Sequence, residues 1–188
     1  MALILASGSP RRAEILTNAG YEFLIRPTDV DESLPAGIDP RAAAYELSLR
    51  KARAAAQLYP EDVVLASDTL VAPGGLILGK PCDADDAARM LRLLSGRTHT
   101  VYTGVCVCGS GREVCDVVPT EVEFLPLTAE QINWYIATGE PMDKAGAYGI
   151  QGRGCRFIRR ISGDYYAVMG LPISRTAQIL EEFSIFPR

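Results

Sequence analysis

The sequence is poor in histidine and lysine, and it contains no long hydrophobic run. The single histidine, His99, excludes any metal or catalytic site that needs two imidazoles. A resident metal would therefore be held mainly by carboxylates, which favours magnesium or manganese. No apolar run approaches the roughly 20 residues that a membrane-spanning helix needs. No signal peptide precedes the first predicted strand, so we expect a cytoplasmic protein with no membrane partner.

Cysteine is scarce too, and its five copies are an odd number without the spacing of a disulfide framework. This usage is typical of a reducing cytosol. Cys106 and Cys108 alternate along an apolar stretch, with Cys115 further on. We interpret the three as buried, inert thiols, and a zinc site built from them is the alternative. The net charge of −4 argues against a nucleic-acid partner but is compatible with a small anionic ligand held by a local basic cluster.

Lysine occurs at only three of the 19 basic positions, Lys51, Lys80 and Lys144, and the other 16 are arginines. An ammonium is a compact point charge, whereas a guanidinium is a wide planar fork, so the two are not interchangeable at a tight site. We therefore interpret the three lysines as functional. Chance survival in an arginine-rich background is the alternative.

The segment from Ala6 to Arg12 forms the first turn of the chain. Before it, residues 3–5 are apolar and predict a short buried strand. After it, Ser9 is placed as an N-cap and Pro10 as the first residue of a helix. Arg11 and Arg12 then fall in the first helical turn, where the helix dipole disfavours cations and favours anions. A bound phosphate chain explains this placement, and a capped surface helix with two solvated arginines is the alternative.

The rest of the chain alternates strand and helix patterns. Predicted strands cover residues 21–26, 62–67, 100–108, 114–124 and 156–161, and predicted helices cover 39–57, 83–94, 128–139 and 172–183. Residues 142–154 are rich in glycine and alanine and predict a shaped loop. Asp68 and Thr69 follow a buried strand, at the end where open α/β sheets usually bind ligands. On the helix over 39–57, we expect an apolar side formed by Ala43, Leu47, Ala54 and Leu58.

Charged residues of both signs fall nearly all on predicted loops or at element ends. The cations are Arg11, Arg12, Lys51 and Lys80, and the carboxylates are Glu32 and Asp68. Triphosphate chemistry needs both kinds, because cations and a divalent metal neutralise phosphate oxygens while a carboxylate holds the metal or takes a proton from water. The run from Gly74 to Lys80 has the spacing of a phosphate-binding P-loop, but Pro81 stands where that loop needs a hydroxyl.

Four motifs occur in order: residues 6–12 (Ala-Ser-Gly-Ser-Pro-Arg-Arg), 67–69 (Ser-Asp-Thr), 79–81 (Gly-Lys-Pro) and 143–152 (Asp-Lys-Ala-Gly-Ala-Tyr-Gly-Ile-Gln-Gly). Together they resemble the Maf family of nucleoside triphosphate pyrophosphatases, and the resemblance runs from about Leu3 to Leu180. It implies a single Maf-like domain over residues 1–188. It also implies an α/β fold similar to that of the inosine triphosphate pyrophosphatases, with a mixed twisted sheet flanked by helices and two lobes around a cleft.

The resemblance further implies cleavage between the α and β phosphates, assisted by Mg²⁺ or Mn²⁺. By match of motif, Asp68 would be the general base, and Glu32 would hold the metal with it. The phosphates would be clamped by Arg12, Lys51 and Lys80, with hydroxyls from Ser7 and Ser9, and Lys144 would lie in the substrate-binding loop beside Asp143.

One branch of the family carries Arg, Thr and Gln at the positions of Arg11, Thr69 and Gln151, and it favours dTTP and UTP. A second branch, linked to 7-methyl-GTP, carries Trp, Gln and Glu there. This chain has the first set. It departs from its relatives at Ala167, where an Asn is frequent.

The family resemblance leaves other functions open. One alternative is a nucleotide-responsive binding protein that acts in the arrest of septum formation. Another is a pyrophosphatase for modified nucleotides such as 7-methyl-GTP. A homodimer is the assembly that the resemblance implies.

Overall fold

A six-stranded mixed sheet forms the centre of the fold in a computed structural model that describes residues 1–188. Its strands are β1 (Leu3–Leu5), β2 (Leu24–Ile25), β3 (Val63–Ala72), β4 (Thr98–Gly109), β5 (Arg112–Phe124) and β6 (Ile158–Ser162). Their spatial order is β2-β1-β3-β4-β5-β6. Strand β1 runs parallel to both β2 and β3, and the other pairs are antiparallel. The predicted α/β class with a mixed sheet is confirmed.

Six α-helices flank the sheet: α1 (Pro10–Asn18), α2 (Pro40–Leu58), α3 (Ala84–Leu94), α4 (Ala129–Ala137), α5 (Tyr165–Met169) and α6 (Ile173–Glu182). Short 3₁₀ turns cover Pro73–Gly75, Glu140–Asp143, Ala145–Ala147 and Gly152–Phe157. The last three occupy most of the segment that was predicted as a shaped loop. None of the helices is long and apolar enough to cross a membrane.

Capping side chains fix where the helices begin. The Asp39 carboxylate accepts hydrogen bonds from two backbone N–H groups of the first turn of α2. Asp83 accepts one such bond at the start of α3, from Asp86 N, and Thr128 with Gln131 forms a reciprocal capping box at α4. Each cap satisfies N–H groups that have no partner within the helix. The predicted starts of these three helices are confirmed. Ser9 also stands at the N-cap of α1, but its side chain makes no capping hydrogen bond.

Several local predictions are wrong. The strand predicted over 21–26 shrinks to Leu24–Ile25, because its neighbour β1 is only three residues long. On α2, Leu58 is 67% exposed, while Ala52 and Ala55 are fully buried in its place. Helix α5 was not predicted, because five residues are too few to show a helical period.

The free-thiol prediction is wrong for two cysteines. Cys106 and Cys115 pair directly across β4 and β5, and their sulfurs form a disulfide. The hairpin register brings together residues nine positions apart, which the spacing along the chain did not indicate. Cys108 is a buried free thiol, and burial raises its pKa to about 11.

Two large apolar clusters pack at different places along the long strands. One joins Val71 and Val101 to α3, α4 and the aromatic residues Phe124 and Tyr148. The other joins β1 and the first half of β3 to α1 and α6. One continuous sheet passes through both clusters, and the interpretation of residues 1–188 as a single domain stays a prediction.

The lengths of β1 and β3 create an opening in the sheet. Strand β1 pairs with β3 only over residues 63–65, whereas β3 continues to Ala72 alongside β4. Beyond Leu65, the β1 side of β3 therefore has no neighbouring strand until Val71 makes an isolated bridge to Leu78. Asp68 and Thr69 were predicted to follow a strand, and this is wrong because they lie inside β3. They do lie beyond the carboxyl end of β1, which is where parallel sheets place ligand groups.

Candidate active site

A cleft opens beside this uncovered stretch of β3. Ten of the eleven candidate residues line it: Ser9, Arg11, Arg12, Glu32, Lys51, Asp68, Thr69, Lys80, Lys144 and Gln151. They come from the start of α1, the segment before α2, α2 itself, β3 and two loops. The remaining candidate, Ser7, lies outside the lining and accepts a hydrogen bond from Arg12 Nη1 at 2.9 Å.

Lys51 lies between two carboxylates at one side of the cleft. Its Nζ is 2.7 Å from Glu32 Oε1 and also forms a hydrogen-bonded ion pair with Asp68 Oδ1. The side chains of Lys51 and Asp68 are 13% and 11% exposed, whereas that of Glu32 is 61% exposed. Asp68 is thus a nearly buried carboxylate with a fixed orientation, and Glu32 approaches it from solvent.

Arg50, which the sequence did not single out, holds the segment that carries Glu32. Its Nη1 donates to the carbonyls of Asp31 and Ser33, at 3.1 and 2.8 Å. Asp31 also accepts hydrogen bonds from the backbone and hydroxyl of Ser33. Glu32 lies at the centre of this turn. In the sequence, only the Asp-x-Ser pattern indicates this turn, because Asp and Ser favour tight turns.

Gly104 on β4 lets α2 approach the sheet closely enough for Lys51 to reach Asp68. It pairs with Asp68 in the sheet register. A methyl group at Gly104 would overlap with the carbonyl oxygen of Ala44 and lie 2.7 Å from Ser48 Oγ. Only glycine permits this contact between helix and strand.

Arg12 reaches into the cleft from α1 and is held by backbone and hydroxyl oxygens. Its Nε donates to the Gly170 carbonyl at 2.8 Å, and its Nη2 is 3.5 Å from Thr69 Oγ1. Burial lowers the pKa of Arg12, and the charge of Asp68 partly offsets this. A guanidinium remains protonated under such a shift, because its ordinary pKa is far above neutrality.

The other cations lie around the mouth of the cleft. Lys80 is exposed and makes no ion pair, although a hydrogen bond from Gly146 N to Gly79 O at 3.0 Å fixes the backbone beside it. Lys144 Nζ donates to the Glu140 carbonyl at 2.7 Å and to Asp143 Oδ1 at 2.6 Å. Partial burial raises the pKa of Asp143, but Lys144 and then Arg11 outweigh it, so the pKa is lowered. Arg11 therefore lies near the loop of Lys144.

The two carboxylates suit a divalent cation that is shared with a substrate. No group of three or more His, Cys, Asp or Glu side chains is close enough to hold a metal without other ligands. Mg²⁺ is commonly bound by one or two carboxylates together with substrate phosphates. Glu32 and Asp68 converge on one point, now taken by Lys51 Nζ, so their oxygens fit this mode.

Neighbouring residues of β3 face opposite sides of the sheet, as the strand pleat requires. Asp68 and Leu70 face α2, where Leu70 packs against Leu47. Thr69 and Val71 face the other side, toward Thr103 and Tyr148 respectively. The cleft thus carries the Lys51 ion pairs on the α2 side of the strand, and Arg12 together with apolar residues such as Val71 and Tyr148 on the other side.

Gln151 lines the cleft from a loop that Glu140 braces. The Glu140 carboxylate accepts hydrogen bonds from Tyr135 OH, Arg153 N and Gly154 N, at 2.9, 3.0 and 3.1 Å. Partial burial raises the pKa of Glu140, but these bonds outweigh it, so the pKa is lowered. Ala167 does not line the cleft, and its side chain is fully buried.

Comparisons with known proteins agree over almost the whole chain. A family model described as Maf-like protein matches residues 2–183. A protein of Symbiobacterium thermophilum named dTTP/UTP pyrophosphatase is 51% identical over 181 residues, which cover 96% of this chain and 93% of the relative. One of the same name from Koribacter versatilis is 49% identical over 185 residues, covering 98% and 96%.

A solved structure, that of the Staphylococcus aureus Ham1 protein, matches with a TM-score of 0.48 and 13% identity, covering 83% of this chain and 79% of that one. The family model and the curated relatives both span nearly all of the chain. The chain belongs to the family of Maf-like proteins.

Proposed function

We propose that this protein is a nucleoside triphosphate pyrophosphatase that hydrolyses dTTP and UTP to the nucleoside monophosphate and pyrophosphate. Relatives that are 51% and 49% identical carry the name dTTP/UTP pyrophosphatase, which supports the reaction and the substrates. One observation carries the proposal within the molecule: Lys51 meets the carboxylates of Glu32 and Asp68 in a cleft that Arg12 and Lys80 also line.

Asp68 is the general base of the proposed reaction. Its carboxylate takes a proton from a water molecule, whose oxygen forms a bond to the α-phosphorus. The bond from that phosphorus to the bridging oxygen breaks, and pyrophosphate leaves with the electron pair. Lys51 orients Asp68 through their ion pair. A divalent cation held by Glu32 and Asp68 would neutralise charge at the phosphate oxygens.

The cations of the cleft bind the triphosphate in this proposal. Arg12 is held in place by Gly170 and Ser7 and presents the rest of its guanidinium to the phosphates. Lys80 is free of protein partners, so its ammonium is available to phosphate oxygens. Ser9 contributes a hydroxyl, and Lys144 stabilises the loop with two of its three N–H groups.

Thr69 and Gln151 contact the base in this proposal. A glutamine amide carries both a donor and an acceptor, so it can pair with the edge of a pyrimidine. Arg11 lies beside Arg12 and near Asp143, a position from which it serves either the phosphates or the base. We propose the base, because a guanidinium only donates and would meet the amino group of cytosine donor to donor.

The cofactor, the assembly and the location are proposals of the same kind. The converging carboxylates support Mg²⁺ or Mn²⁺ as cofactor, and the family resemblance supports a homodimer. A cytoplasmic location is the remaining proposal. Arg11, Thr69 and Gln151, the residues of the dTTP and UTP branch, all line this cleft, which favours that branch over the 7-methyl-GTP alternative.

Pyrophosphate release from UTP, dTTP, CTP and GTP tests the proposal, with Mg²⁺ or with a chelator. We expect release from UTP and dTTP, weak release from CTP and GTP, and none with the chelator. The nucleotide product should be the monophosphate. Release of inorganic phosphate with a diphosphate product would refute the cleavage position. Tight UTP binding without turnover would favour the binding-protein alternative. Equal kcat/KM for UTP and CTP would refute the base specificity.

The role of Arg11 has its own test. In Arg11→Ala, the ratio of kcat/KM for UTP to that for CTP should fall more than the overall rate. An unchanged ratio with a lower rate for every nucleotide would assign Arg11 to the phosphates.

A further inference from the structure

A row of four polar groups runs from the cleft into the protein. Arg12 Nη2 lies 3.5 Å from Thr69 Oγ1, which lies 3.1 Å from Thr103 Oγ1. Thr103 Oγ1 in turn lies 2.7 Å from the carbonyl oxygen of Ala167. Thr69 is half-buried at the cleft, and Thr103, its partner across β3 and β4, is fully buried.

The groups at the two ends of this row determine which group is the donor in each of its hydrogen bonds. A carbonyl oxygen only accepts and a guanidinium only donates, whereas a hydroxyl has one proton to give. Two oxygens 2.7 Å apart repel unless a proton lies between them, so Thr103 gives its proton to Ala167. The hydrogen bond between the two hydroxyls must then be donated by Thr69. Arg12 donates to Thr69 at the other end, and this agrees with the same direction.

Thr69 therefore has no proton left for a ligand, and it offers the cleft only a lone pair. A ligand group opposite Thr69 has to be a hydrogen-bond donor. Uracil and thymine carry a donor at N3, whereas cytosine carries a lone pair there. A lone pair facing the Thr69 oxygen would leave both groups unpaired, which is costly in a site with little water.

We propose that Thr103 is a positioning residue that makes Thr69 an obligate acceptor for the N3–H of uracil or thymine, and so excludes cytosine. The proposal rests on the proposed pyrimidine triphosphate function. Thr69 faces the same side of β3 as Val71, which packs with Val101 and Tyr148. Beyond Arg12, this side of the cleft is lined by these apolar side chains, against which the flat faces of a base can pack. A sugar hydroxyl is the other donor that a nucleotide offers, and the experiment separates the two.

Thr103→Val tests the proposal, because it keeps the shape of the side chain and removes the hydroxyl. In this variant the Ala167 carbonyl still accepts a hydrogen bond from Gly170 N at 3.0 Å, so it is not left without a partner. The Thr69 proton is then free to turn toward the ligand. We expect the ratio of kcat/KM for UTP to that for CTP to fall about tenfold, the equivalent of one hydrogen bond. The change should appear in KM for CTP, while kcat for UTP is largely retained. Thr103→Ser, which keeps the proton, should preserve the wild-type ratio.

The outcomes separate this inference from the proposed function. A folded Thr103→Val protein with an unchanged ratio overturns the inference, and so does a wild-type protein that uses UTP and CTP equally. If Thr103→Val alters the ratio of dTTP to 2′,3′-dideoxy-TTP instead, Thr69 accepts from the sugar, and the base assignment is overturned. Equilibrium binding of UTP and CTP in the presence of a chelator gives the same ratio without turnover. The inference is thus decided even if no pyrophosphate is released, an outcome that would refute the proposed function alone.

Discussion

The sole histidine makes the stability of the fold depend on pH in a way that can be calculated. His99 is 3% exposed and packs edge-on against Phe124 and Tyr148. Its Nε2 lies 2.7 Å from Tyr148 OH, and its Nδ1 has no partner. Burial lowers the pKa of His99 from 6.5 to about 4. The folded protein therefore holds a neutral imidazole over a range in which the unfolded chain holds a charged one.

The sign follows from proton binding. Between pH 6.5 and about 4 the unfolded chain binds more protons at His99 than the folded protein does. The stability that neutral His99 contributes is complete above pH 6.5 and is lost as the pH falls toward 4. At about 1.4 kcal/mol for each pKa unit, this loss is about 2.5 kcal/mol between pH values of about 7.5 and about 4.5.

Urea unfolding of the wild type and of His99→Gln at these two pH values measures the loss. Glutamine keeps a hydrogen-bonding group for Tyr148 and does not titrate. Carboxylates titrate equally in both proteins, so the difference between them isolates His99. The free energy of unfolding of the wild type should fall by about 2.5 kcal/mol more than that of the variant. Parallel falls in the two proteins would refute the assignment of a buried neutral imidazole.

Three further predictions concern the cleft. Asp68→Asn keeps the shape of the side chain and removes the base, so kcat for UTP should fall at least about a hundredfold with an unchanged circular dichroism spectrum; near-normal turnover would disprove the role of Asp68. Lys51→Arg and Lys80→Arg should each lower kcat/KM, because a wide guanidinium does not fit between Glu32 and Asp68 and does not replace the compact charge of Lys80 at the phosphates. The control Arg53→Lys, on an exposed ion pair, should be silent, and full activity of the lysine double variant would contradict the expectation. Glu140→Gln weakens the bonds that brace the loop of Gln151, so KM should rise more than kcat falls; a selective loss of kcat would argue against this bracing role.

The sequence allowed much of the local structure to be predicted, because caps act over a few residues. Asp39, Asp83 and Thr128 begin helices where their spacing indicated. The cleft could be anticipated through charged residues near turns together with the family motifs, and ten of the eleven candidate residues do line one cavity. What could not be predicted depends on pairing across the sheet. The position of Asp68 inside β3 follows from the shortness of β1, and the Cys106–Cys115 disulfide follows from the hairpin register.

Hydrogen bonds between polar residues that are distant in the chain could not be predicted from the sequence either. Nothing in the sequence sets Thr103 apart, and only the sheet register brings its hydroxyl to that of Thr69. Arg50 differs in no way from the other arginines of the chain until the fold brings it to the turn around Glu32. Helix α5 was missed because its five residues are too few to show a periodic pattern, although Asp164 caps its first turn.

The pleat of β3 places the proposed hydrolytic group and the proposed nucleotide-recognising group on opposite sides of one strand. Asp68, the proposed general base, and Thr69, which is proposed to recognise the pyrimidine ring, are adjacent in the chain. Asp68 faces α2, whereas Thr69 faces Thr103. Substitutions at Thr69 or Thr103 therefore act on a surface that does not touch the Lys51 ion pair. We therefore expect point mutations on the Thr69 side of the strand to change the preferred nucleotide while Asp68 and Lys51 stay in place on the other side.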